Sequence, residues 1–157
     1  MAWMKSNFAN LDIEKSEKLP AVADFPIGKM TKREYFDKQV EWVLKRLPQK
    51  VLRLLEEVPL HVEDKPSREL MREMNVEYDD ELCGCFSGVA IDERYELNSP
   101  VPNSVTIFRK GIFVLACDEE GNFSRTELRN QIRITILHEL AHFHGMDEDE
   151  IDDIGYG

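Results

Sequence analysis

The segment His138-Glu139-Leu140-Ala141-His142 holds residue types from which a hydrolytic metal site is built, at the spacing such a site requires. On a helix, positions four apart lie one turn apart on the same face, so imidazoles at 138 and 142 can grip one ion. Glu139 is rotated about 100° from His138. Its carboxylate can therefore reach a water activated by the ion without being a ligand. Gly145 then ends the helix, and Asp147, Glu148 and Asp149 follow at once. Zinc in a catalytic site takes three protein ligands and keeps one position open for water, and any of these three acids can close the set. His144 follows His142 too soon to share its face and suits a supporting or capping role. The pattern implies zinc-dependent hydrolysis.

Such a motif works only if the surrounding elements hold it still. Ser124-Arg-Thr-Glu127 reads as a capping box that opens a helix running to about His144. After its first turns this helix is apolar almost all round, with Ile132, Ile136, Leu140 and Phe143 among its members, which predicts a buried helix. Two histidines and a glutamate in such a helix need partners, and a metal with its water is the most economical set. Upstream, Thr31 and Glu34 form another capping box before an amphipathic helix that runs to about Arg46, and Pro48 suits the first turn of a second, shorter one. Leu60–Glu63 reads as a short strand in which His61 is a half-exposed strand residue rather than a ligand. Ser67–Met74 is a short helix with Ser67 as cap, Gly84–Ile91 is strand-like, and Ser104–Arg109 is the clearest strand. Gly111–Cys117 is a continuous apolar run that fits either a strand or a short buried helix.

At 157 residues the chain suits one compact domain with a real core. Residues 1–29, with scattered apolar residues and the breakers Pro20, Pro26 and Gly28, read as an extension whose composition allows disorder, ahead of a domain at 30–157. The net charge of −11 argues against a nucleic-acid partner and against docking on anionic membrane, since no basic stripe is present. Residues 147–153 hold six acids, and no Lys or Arg lies beyond Arg133. No apolar run approaches the roughly 20 residues of a membrane span. Polar residues interrupt any leader-like stretch near Trp3, Met4 and Phe8. Cys83, Cys85 and Cys117 form no disulfide framework and read as small buried side chains, which makes a reducing cytoplasm the expected compartment.

The run His138-Glu-x-x-His142-x-x-Gly145-x-x-Glu148, with Ile154-Gly155-Tyr156 near the end, resembles the small bacterial minimal zincins, a family of metallopeptidases. The likeness extends upstream through Gly88-Val-Ala-Ile-Asp-Glu-Arg94 and Ser104-Val-Thr-Ile-Phe-Arg109, and covers about residues 31–157. The resemblance implies a compact α+β zincin-like fold, a small mixed sheet packed against helices, with zinc at a buried HExxH helix. Carried over by position, His138 and His142 are ligands, Glu139 is the general base and Glu148 takes the third-ligand place. Aspartate is the expected residue at that last place. Glu148 departs from it with a longer reach, and Asp147 or Asp149 can substitute.

The expected activity is peptide hydrolysis: zinc lowers the pKa of its water and polarises the scissile carbonyl, while Glu139 moves the proton. Arg94, Arg109 and Tyr156 are candidates to steady the oxyanion. The Val105–Phe108 strand offers an edge for an extended peptide or protein substrate. Two other classes compete. One is a binding module with a closed, four-ligand zinc. The other is a metal-dependent RNA hydrolase, since a His-rich helix and Gly turn also occur in rRNA-processing endonucleases. The acidic balance and the carboxylate at 139 count against the latter.

Overall fold

Capping chemistry sets where the helices begin. The computed structural model describes residues 2–5, 30–88, 102–145, 147 and 149–150. Strand β1 is Ala2–Lys5. The Thr31 hydroxyl accepts from the Glu34 amide and the Glu34 carboxylate accepts in return, so the expected capping box opens helix α1 at Lys32–Leu44. Pro48 stands at the cap of α2, Gln49–Glu57. Strand β2, Leu60–Glu63, and helix α3, Arg68–Glu73, follow, the latter capped by Ser67 as expected. Strand β3, Leu82–Ser87, comes next; β4, Ser104–Phe108, leads directly into α4, Arg109–Leu115, and α5, Arg125–Phe143, follows. The apolar run after Gly111 is thus helical, in α4. At Ser124 only half of the expected box forms: its hydroxyl accepts from the Glu127 amide, while the Glu127 carboxylate accepts from Gln131.

The strands form one mixed sheet in the order β1-β3-β4-β2. β2 and β4 are parallel, and the other two pairings are antiparallel. Two apolar clusters cover its faces. The larger joins Val105, Ile107 and Phe86 of the sheet to Phe36 and Val40 of α1, Ile112 and Phe113 of α4, and Leu128, Ile132, Ile136 and Phe143 of α5. The smaller joins Leu82, Cys85 and Phe108 to Met74 and Val76 beyond α3. Fully burying an aromatic such as Phe36, Phe108 or Phe143 stabilises by about 2–3 kcal/mol each. This is the α+β architecture expected, with α5 as the buried helix.

One expectation changes. β4 is not an edge: Val105–Phe108 pairs with Leu60–Glu63 on one side and β3 on the other, so both rows of its backbone groups are used. The segment 1–29 lies outside the described residues apart from Ala2–Lys5, and those four form an edge strand on β3. His61 is exposed on β2, and the three cysteines carry free thiols, as read from sequence. No helix among the described residues is long and apolar enough to cross a membrane.

Candidate metal centre

The C-terminal half of α5 is held from below and from the side. Phe143, its last residue, packs its ring 5.8 Å from that of Phe86 in β3, and Ile136 and Leu140 enter the main core. Beneath the helix lies Gly84 of β3. A methyl there would stand 2.7 Å from Cγ2 of Thr135 and 3.1 Å from Cγ and Oε1 of Glu139. Real carbon contacts do not tolerate the first distance, so the absence of a side chain at 84 lets α5 settle against the sheet with Glu139 directly over the strand. At the other end, Gly145 adopts φ +80° and donates to the His142 carbonyl at 2.9 Å, the left-handed cap that stops the helix. His144 is exposed at the C-cap, the supporting place foreseen for it.

One turn of α5 brings the sequence-predicted trio together. His138 Nε2 and His142 Nε2 lie 3.0 Å apart, with ring centroids 4.8 Å apart at 70°. Two nitrogens bound at 2.0–2.1 Å to one tetrahedral zinc stand about 3.3 Å apart, so the pair already has nearly the bite that ion requires. Both rings are buried, at 1% and 8% exposure, and Glu139 between them is at 0%. Their aligned nitrogens and the adjoining carboxylate, seated in the cradle that a Cβ at 84 would fill, fit a small divalent cation with an activated water. The surroundings are hostile to thiolate chemistry: burial, then the negative charge of Glu139, pushes the Cys85 thiol up to about 11 and the Cys83 thiol higher still.

Of the three acids considered for the third place, Glu148 lies outside the described residues. Asp147 is exposed and already engaged, with its Oδ1 accepting from the Glu150 amide and its own amide donating to Glu150 Oε2, both at 3.0 Å. Asp149 is exposed. Among the described residues no group of three or more potential ligands gathers. Of the oxyanion candidates, Arg94 and Tyr156 lie outside the described residues. Arg109 is committed elsewhere: it donates to Asp37 at 2.7 Å and to Asp64 at 3.0 Å, and Asp64 also holds Arg33. That network ties α1 to the ends of β2 and β4, a structural task that withdraws Arg109 from the chemistry.

Gly84 is the position that motif reading passed over. Its signal was present, since a glycine inside an apolar strand marks a close backbone approach. What approaches it, 51 residues away in α5, is visible only in the fold.

A family model described as zincin-like metallopeptidase matches residues 55–157, well over half of the chain. The match takes in β2, β3, β4, α5 and the acidic tail and leaves β1 and α1 outside. No curated protein matches the sequence.

Proposed function

The chain belongs to the zincin-like metallopeptidase family, and from that premise we propose that it hydrolyses peptide bonds at a zinc site of His138, His142 and Glu148, with Glu139 as general base. The observation that carries this reading is the convergence of the two Nε2 atoms at 3.0 Å within the turn that also presents Glu139. Zinc, when bound, supplies a Lewis acid that makes water nucleophilic near neutral pH and polarises a carbonyl. Glu139 takes the proton of the attacking water and returns it to the leaving amine. Its place over Gly84 fixes the carboxylate along the helix, and the Phe86–Phe143 contact keeps the turn from rotating. Glu148 is assigned on the family pattern, and the commitment of Asp147 to Glu150 supports the choice. Arg94 and Tyr156 remain the candidates for steadying the oxyanion.

Elemental analysis and a casein-type assay test the reading. The purified protein should hold about one zinc per chain, the content of a mononuclear catalytic site. Glu139→Gln should keep that metal and lose about 10²–10⁴-fold in hydrolysis, the usual worth of a positioned base. Undiminished cleavage by the variant would remove Glu139 from its role. Chelator-sensitive cleavage of RNA with none of peptide would move the chain to another reaction class.

A further inference from the structure

β3 is the strand beneath the candidate catalytic turn, with Gly84 under Glu139. One of its edges is paired with β4 and the other with β1, antiparallel, with Trp3 opposite Cys85 and Met4 opposite Gly84. Opposed residues in such a pair stand about 4.5–5.5 Å apart. The backbone around residue 4 therefore runs beside the stretch of β3 that Glu139 overlies, and α5 packs against β1 as well as β3. An extended peptide that adds to a sheet does so at an edge, main chain to main chain. The other edge strand, β2, is separated from β3 by β4.

Three further observations bear on what β1 does there. Glu139 and His138 are exposed by no more than 1%, so the turn is covered in this conformation. The family match begins at residue 55, so β3 and α5 lie inside it while β1 comes from outside. β1 is also short, four residues, with a register shift between Met4 and Lys5, which leaves few bonds to hold it.

Building on the peptidase reading above, we infer that residues 2–5 occupy, in cis, the edge of β3 that a substrate peptide takes. The segment is an autoinhibitory strand that leaves before substrate pairs. A tethered strand competes at an effective concentration of about millimolar, so it raises the apparent KM and leaves kcat alone.

The test removes the pairing while keeping the chain. Backbone amides of an antiparallel strand face a given neighbour at alternate residues, so Trp3→Pro/Met4→Pro deletes a donor whichever phase applies. Deletion of residues 1–6 serves as the second variant should the prolines disturb folding. Three readouts are compared with the unaltered chain: hydrogen exchange of the β3 amides, anisotropy of a labelled peptide bearing the sequence of residues 1–8 (in a Glu139→Gln background), and the KM and kcat for peptide hydrolysis. The expected result is exchange and peptide affinity each increased about ten-fold, with KM lowered by a similar factor at constant kcat. Unchanged exchange and unchanged peptide affinity in both variants would overturn the inference. Faster exchange and tighter peptide binding in a chain that hydrolyses nothing would retain the strand exchange and remove the peptidase reading alone.

Discussion

Asp79 and Asp80 are neighbours in sequence, and the fold shifts them in opposite directions. Asp80 is only 7% exposed, and burial pushes its carboxyl above the ordinary range, with Asp79 adding to the effect. Burial also presses Asp79 upward, but hydrogen bonds and charge from Lys110 and Lys65 outweigh it and hold that carboxyl low. The linkage follows from proton counting. Folded Asp80 keeps a proton that the unfolded chain has released, so its contribution to stability falls as pH rises above about 4, the usual aspartate value, through the raised folded one. Asp79 contributes stability above that same value and loses it as pH falls through the lowered one. Asp80→Asn should therefore raise Tm at pH 7, with the gain disappearing near pH 3, as thermal denaturation at the two pH values will show. An equal gain at both would mean that packing, not charge, governs the site. At this scale His138, Glu139 and His142 were legible in the sequence because helical spacing alone aligns them. The assignment of Arg109 was not, because Asp37 and Asp64 reach it through folding from far along the chain.

Between elements, the contact of α5 with β3 governs the site, and Gly84 is its hinge point. Gly84→Ala should destabilise by about 1–3 kcal/mol, the usual range for overpacking a tight core. Adding Thr135→Ser removes the methyl that stands 2.7 Å from the new Cβ, while the 3.1 Å contacts with Glu139 persist. The double variant should thus recover most of the lost Tm but little of the hydrolysis, a split that calorimetry and an activity assay together resolve. Full recovery of both would show that Glu139 does not need this seat. The pairing of β4 is the matching lesson for strands. Val105–Phe108 has the same composition whether at an edge or in the centre, and only the parallel register with Leu60–Glu63 places it inside. For Gly111–Leu115 the apolar run carried no period; its burial against Phe36 and the strands selects a helix.

For the molecule as a whole, metal and fold should be linked. The histidines lie on a helix whose residues enter the main core, so an ion bound there favours the folded state by mass action. Free zinc at a hundred times its dissociation constant adds about 2.7 kcal/mol. In a domain of this size that corresponds to a rise in Tm of about 5–10 °C. Chelation of the purified protein should lower Tm by this amount, and His142→Ala should abolish the difference between metal-loaded and stripped samples. An identical Tm with and without chelator would show that the ion is not held by the core helix. The charge of −11 is consistent with this arrangement, with the acidic run at 147–153 following the helix that holds the histidines.

The sequence by itself determined that His138 and His142 share one face of a helix, the caps at Thr31, Ser67 and Ser124, and the burial of the helix from 125 to 143. Each is set by interactions within a few residues: one helical turn, one side chain closing on a nearby amide, one apolar periodicity. Only the tertiary structure decided that Gly84 makes room for Glu139, that Arg109 is held by two aspartates, and that residues 2–5 lie along β3. These depend on which distant segments the collapse of the core brings side by side, and backbone pairing and close packing leave almost no local signature of their partners.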